Sequence, residues 1–150
     1  MNLEDLGYNA SVESYRKENN LESFNVGRVT AEHKDRYVVK VPHAEFSAEL
    51  IGNLRFTAES RRDFPAVGDW VAFSEYNEDQ ALIHAIYPRK SIIERQAVGR
   101  QGHAQIIATN IDVGLIVQAV DRDFNLNRLE RYLTICNASG VEAIVVLSKT

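Results

Sequence analysis

Two apolar runs near the end of the chain constrain its fold more than any other feature. Ile111-Asp112-Val113-Gly114-Leu115-Ile116-Val117 and Val141-Glu142-Ala143-Ile144-Val145-Val146-Leu147 are almost continuously apolar. Such runs read as strands buried on both faces, the pattern of a parallel sheet. Between them, Leu126, Leu129, Leu133 and Cys136 recur at helical spacing, with Asn125 as candidate N-cap and Gly140 as stop. The three pieces make a βαβ unit, whose crossover is expected to be right-handed. Two parallel strands and one helix leave one sheet face uncovered. The natural protein is therefore expected to continue beyond Thr150. Folded alone, these strands are expected to be marginal, swapped or leaning on what precedes them.

The chain before them follows a different period. Residues 1–22 are polar, with Leu3, Leu6, Tyr8, Val12 and Tyr15 as sparse apolar points, and read as an N-terminal extension with one short helix. From Phe24 the β-branched and aromatic residues Val26, Val29, Tyr37, Val38, Val39 and Val41 mark two strands, with His33-Lys34-Asp35 as the turn. Phe46, Ala48 and Leu50 alternate with Glu45 and Glu49 in a third strand. Residues 55–62 are polar, 63–68 read as a loop, Trp70-Val71-Ala72-Phe73 is a fourth strand, and residues 81–87 are a fifth. Short strands with a longer connection between the third and fourth suit a small closed sheet over residues 23–88, OB-fold-like, with an SH3-like barrel as the competing arrangement. Tyr37, Phe46, Trp70 and Phe73 fall on alternating positions and are expected in the barrel core. Residues 89–105 read as a polar linker, and 106–150 as the start of the second domain.

Composition excludes several classes. The single cysteine, Cys136, rules out an internal disulfide and any multi-thiolate zinc site, and fits a reducing cytoplasm. It reads as a buried, inert thiol. His33, His43, His84 and His103 show no metal-ligand spacing, and all four read as structural or surface residues. No apolar run reaches the ~20 residues that span a bilayer, and the acidic amino terminus lacks the order of a secretory signal. The net charge of −4 argues against the whole chain as a nucleic-acid binder. Its distribution points the other way. Arg55, Arg61, Arg62, Arg89, Lys90, Arg95 and Arg100 would make one positive face, against the competing reading of a mixed, solvated surface.

Several segments, taken in order, resemble one family. They are Val26-Gly27-Arg28-Val29, Val67-Gly68-Asp69-Trp70-Val71, Pro88-Arg89-Lys90-Ser91, Asn110-Ile111-Asp112, and Phe124-Asn125-Leu126-Asn127-Arg128-Leu129-Glu130-Arg131-Tyr132-Leu133. Over residues 24–150 the chain resembles the ribosome small-subunit-dependent GTPases, whose circularly permuted G domain follows an OB-fold. The resemblance implies a β plus α/β fold: a five-stranded OB-fold-like barrel, then the first βαβ unit of a truncated P-loop-type GTPase domain. It rests on order and spacing rather than on any single motif.

The resemblance also implies chemistry. In this family the guanine-reading motif, Asn-Lys-x-Asp in most GTPases, precedes the phosphate loop. Ser148, Lys149 and Thr150 stand where it begins, with Lys149 packing on the guanine face and Ser148 replacing the asparagine. The aspartate that completes the motif lies past Thr150. The P-loop pattern G-x-x-x-x-G-K-[ST] is absent from the 150 residues, so this chain alone is expected to hydrolyse no GTP. GTP and Mg2+, and zinc in a C-terminal cysteine/histidine domain, are implied for the full-length protein; within the chain neither a catalytic nor a metal residue is expected. The implied partner of the barrel is small-subunit ribosomal RNA, with no membrane. OB-folds set basic groups on phosphates, and the candidates are Arg28, Lys34, Arg36, Arg55, Arg61, Arg62, Arg89 and Lys90. The alternative is a stand-alone RNA- or protein-binding module without enzymatic activity.

Overall fold

A computed structural model of the chain describes residues 1–96, 104–120 and 125–149. It divides into two units, Met1–Arg89 and Lys90–Thr150.

In the first unit, β1 (Asn25–His33), β2 (Arg36–Val41), β3 (Ala44–Leu50), β4 (Trp70–Glu75) and β5 (Gln80–Ile86) close into a barrel in the order β1-β2-β3-β5-β4. All neighbours are antiparallel except β3 and β5, which run parallel with Leu50 opposite Ile83. That parallel pair, with β4 closing back on β1, makes the Greek-key barrel of the OB-fold and excludes the SH3-like alternative. Closure leaves no open sheet edge. Alternation then sorts the side chains: Val29, Val39, Phe46, Ala48, Leu50, Val71, Phe73 and Ile83 fill the interior. Each large apolar side chain buried this way stabilises the fold by roughly 1.5–3 kcal/mol. Gly27 is required by this packing, because a Cβ there would lie 2.6 Å from Val39 Cγ1 and 3.0 Å from Phe73 Cε1.

The amino-terminal segment covers the barrel's outer wall. It holds a 3₁₀ turn, Glu4–Leu6, and α1, Ala10–Glu18, capped by the Asn9 side chain on the amides of Ser11 and Val12. Val12 packs with Val26, Trp70, Ala72 and Tyr87, while Tyr8 meets Trp70 edge-on at 5.5 Å and Tyr15 lies 5.4 Å from Tyr87. Trp70 through Phe73 are consequently buried on both sides. Between β3 and β4 the polar stretch is not a plain loop. It forms α2, Gly52–Thr57, and a 3₁₀ turn, Arg61–Asp63, closed by a capping box between Ser60 and Asp63.

In the second unit, β6 (Ile92–Gln96) pairs antiparallel with β7 (Ala104–Thr109). The segment read as a polar linker thus carries a strand. Its alternating Ile93-Glu94-Arg95 gave too little apolar content to stand out. β8 (Val113–Val120) and β9 (Glu142–Lys149) run parallel, joined through α3 (Leu126–Ser139), with Asn125 capping the amide of Arg128 and Gly140 ending the helix at φ +70°. Ile111 and Asp112 precede the strand instead of opening it. The expectation that these strands are buried on both faces is corrected. Ile116, Cys136 and Val141 form a small core under α3, but Leu115 and Val117 on the opposite face are each 65% exposed.

Candidate nucleic-acid interface

Strand register decides where the candidate cations go. The β1–β2 turn lies beside the carboxyl end of β3, because Tyr37 faces Ala48 and Arg36 reaches Glu49 at 3.2 Å. α2 starts directly after that strand end, and the exit of β5 lies beside the start of β4, where the Tyr87 amide donates to the Trp70 carbonyl at 2.9 Å. The β1–β2 turn, α2, the 3₁₀ turn and the exit of β5 therefore share one end of the barrel. The β4–β5 turn, with Glu75, Glu78 and Asp79, lies at the other, since Gln80 is paired with Ser47 near the start of β3. Seven of the eight candidates, all but Lys90, fall at the first end or lead into it.

Two of those seven are internal fasteners. The Arg28 Nε donates to the Gly68 carbonyl at 2.9 Å and Nη1 to the Leu6 carbonyl at 2.6 Å, with the guanidinium 5.6 Å from the Trp70 ring centre. Gly68 supplies that carbonyl from a left-handed turn, φ +102°, a conformation only glycine adopts without strain. Arg89 is held more tightly. It grips Asp69 through Nε to Oδ1 at 2.8 Å and Nη2 to Oδ2 at 2.7 Å, and also donates to the carbonyls of Arg62 at 2.7 Å and Phe64 at 2.8 Å. The Arg89 side chain is 9% exposed and that of Asp69 fully buried. Asp69 accepts as well from the Ala66 amide at 2.7 Å. Sequence reading missed this aspartate, although the Val-Gly-Asp-Trp segment was in view. Its partner stands twenty positions away, and no local signal joins them.

The other five lie at the surface. Lys34 occupies the β1–β2 turn beside Asp35, whose φ is +61°. Arg36 is tied to Glu49 and to Ser47 Oγ, both on β3, and remains part-exposed. Arg55 leaves α2 near the same turn, for its charge acts on Tyr37. That phenol is pushed up by burial first and then by Glu32 and Asp35, with Arg55 opposing. Arg61 and Arg62 are exposed in the 3₁₀ turn. Beneath them lies a cleft of about 530 Å³, lined by Leu54, Thr57, Arg62, Tyr87 and Arg89 among others.

Lys90 belongs to the second unit. There its amide donates to Asn110 Oδ1 and its ammonium pairs with Asp112 Oδ1, both at 2.8 Å. Ser91 Oγ donates to the Ile111 carbonyl and accepts from the Ile111 amide. The Lys90-Ser91 and Asn110-Ile111-Asp112 segments, about twenty positions apart in sequence, interlock through these bonds. Parallel register sets Ser148 opposite Ala119 and Lys149 opposite Val120, so both stand at the carboxyl ends of two adjacent strands. That is the edge where α/β sheets bind ligands. Thr150 and Arg100 lie outside the described residues. Cys136 is buried on the inner face of α3, clustered with Ile116 and Val141. His84 stacks on Phe24 at 4.4 Å and shares a 2.8 Å hydrogen bond with Ser74, and burial pushes its pKa down. Among the described residues no helix is long and apolar enough to cross a membrane, and no group of three or more His, Cys, Asp or Glu converges as a metal site.

Comparison with known proteins places this arrangement. Residues 86–150 match the family model described as RsgA GTPase. Small ribosomal subunit biogenesis GTPase RsgA 2 of Lactiplantibacillus plantarum is 48% identical over 124 residues, 83% of this chain and 35% of the relative. The RsgA of Opitutus terrae is 40% identical over 138 residues, 86% of the chain and 38% of the relative. That of Syntrophotalea carbinolica is 34% identical over 157 residues, the whole chain and 43% of the relative. The chain thus spans well under half the length of these curated relatives. Among solved structures, the circularly permuted GTPase YloQ superposes with TM-score 0.60 at 19% identity, over 83% of this chain and 40% of that one. YjeQ from Thermotoga maritima superposes with TM-score 0.59 at 18% identity, over 81% and 40%. Fold and sequence agree, and the chain belongs to the RsgA GTPase family.

Proposed function

We propose that this chain is the RNA-docking part of a GTPase that assists small ribosomal subunit maturation in the cytoplasm. In this reading the basic end of the barrel sits on ribosomal RNA, and the end of β9 opens a guanine-binding site. The observation that carries it is the gathering of Lys34, Arg36, Arg55, Arg61 and Arg62 at one end of a closed barrel, although they come from two separate segments. Exposed guanidiniums and ammoniums suit phosphate oxygens, which fix position without reading sequence. Arg28 and Arg89 act here by holding the frame. Lys90, paired with Asp112, is a phosphate contact only if it gives up that partner.

Ser148, Lys149 and Thr150 form the near side of the nucleotide site in this proposal. Lys149 lays its alkyl stem along the base, and Ser148 offers one hydroxyl. The phosphates and Mg2+ need a P-loop, which none of the 150 residues supplies. The full-length protein hydrolyses GTP in this reading, and the 150-residue chain shows no GTP turnover above buffer.

Retention on purified small subunits, titrated with salt, tests the docking claim. The logarithm of affinity is expected to fall linearly with the logarithm of salt, and Lys34→Ala or Arg61→Ala to lower that slope by about 1 each. Failure to bind at low salt rejects the proposal.

A further inference from the structure

The β3–β4 connection carries a side chain that the barrel does not use. On α2, Leu54 faces inward and packs against the barrel core. Two residues on, roughly 200° around the helix axis, Phe56 points the other way and is 88% exposed. Phe24, Phe46, Phe64 and Phe73 are all buried or half-buried. Phe56 alone among the described phenylalanines stands in water.

Its setting is cationic. Arg55 precedes it, and Arg61 and Arg62 follow in the 3₁₀ turn. Of the two nearby acids, Asp63 is occupied by the amides of Glu59 at 2.8 Å and Ser60 at 3.2 Å, which leaves Glu59. The segment is also held from below, since Arg89 binds the carbonyls of Arg62 and Phe64. A ring on a fixed support loses little freedom on binding.

The geometry points to Phe56 as a stacking platform for one unpaired base of single-stranded RNA, with Arg55 and Arg61 on the flanking phosphates. This inference rests on the docking reading above and adds a base-contacting residue to it. A protein partner fits less well. Apart from Phe56, the large apolar side chains exposed in residues 1–89 are Met1 and Tyr76, and Tyr76 lies at the barrel's other end. A protein hot spot needs a contiguous apolar patch, whereas one ring matches one base, whatever its sequence.

The test uses the 150-residue chain and three probes: an oligouridylate of about twelve nucleotides, within the span of an OB-fold site, an abasic oligomer of equal length, and an RNA duplex. Phe56→Ala is expected to weaken oligouridylate binding roughly 5- to 100-fold, and to leave the abasic and duplex affinities and the salt slope unchanged. Phe56→Trp is expected to keep the affinity and to show emission quenched by oligouridylate but not by the abasic strand. Trp70 is buried and adds a constant background. If Phe56→Ala binds oligouridylate like the parent while Arg61→Ala does not, the platform is wrong and the docking reading stands. If Phe56→Ala weakens retention on small subunits but not binding to naked strands, the ring touches protein and the inference falls. If the parent chain binds no RNA at low salt, both readings fall.

Discussion

The two units of this chain put similar residues to opposite use. In Met1–Arg89 the aliphatic and aromatic positions of five strands end up inside a closed barrel or under the amino-terminal helix. In Lys90–Thr150 the most apolar strands of the chain keep Leu115, Val117, Ile144 and Val146 exposed on the face away from α3. The difference is topological. A barrel covers one face of its sheet with the sheet itself and has no edge left over. A parallel pair covers neither face, and one crossover helix covers only one. Apolar content therefore measures what a strand is able to bury, and closure or layering decides what it does bury.

The largest expected effect sharpens that contrast. Phe73→Ala empties the middle of the barrel, where the ring is 1% exposed, and is expected to destabilise by about 3–5 kcal/mol. Leu115→Ala is expected to stay within about 0.5 kcal/mol. Equal losses for the two, read by urea denaturation, would break the comparison.

Arg89→Ala follows closely. It strands a buried carboxylate, for a cost of about 3 kcal/mol or more. Adding Asp69→Leu should recover part of that loss, because the unpaired charge then goes too. A double variant as unstable as the single one would mean that the Arg62 and Phe64 carbonyls dominate the effect.

Gly27→Ala comes next, at about 1–3 kcal/mol, as Val39 and Phe73 are forced aside. Thermal unfolding measures it, and an unchanged midpoint would show the barrel wall to be softer than its packing suggests.

On the other side of the comparison, replacing Leu115 and Val117 together with lysine should change stability little. Sedimentation velocity should show the parent chain associating as its concentration rises and the lysine variant staying monomeric. Association of both alike would acquit the open sheet face.

The smallest effect is His84. Burial lowers its pKa, so the folded state favours the neutral ring. Its contribution is present above the unfolded value of about 6.5 and is lost as pH falls through the lower folded value. His84→Gln should flatten the stability profile over that window, and an unaltered slope would remove the histidine from the account.

Much of the fold was legible because the relevant forces are local. Phe46, Ala48 and Leu50 announced β3 by alternation, and Asn125 and Gly140 bracketed α3 by capping chemistry. β6 was not legible. Its residues gain strand geometry from pairing with β7, across a gap no short window spans. The candidate site was legible as residue types and no further. Arg28 and Arg61 look alike in sequence, yet one is bound to the Gly68 and Leu6 carbonyls between the barrel wall and the amino-terminal segment, and the other is exposed. The role of Phe56 is not legible in the sequence, because a polar stretch with one phenylalanine carries no period. Only the turn of α2, which buries Leu54, shows that Phe56 is turned away.

The sequence by itself determined the class of the strongly patterned elements (the five barrel strands, β8, α3 and β9), the single cysteine, the absence of a P-loop pattern from these 150 residues and the family, because these follow from side-chain chemistry and spacing. Tertiary structure decided which charges are structural and which are presented. It joined Asp69 to Arg89, set the β1–β2 turn beside α2, and aligned Ser148 and Lys149 with the end of β8. Each depends on strand register, and register is fixed by the whole barrel or sheet at once, since a slip of one residue would turn every buried side chain to the other face.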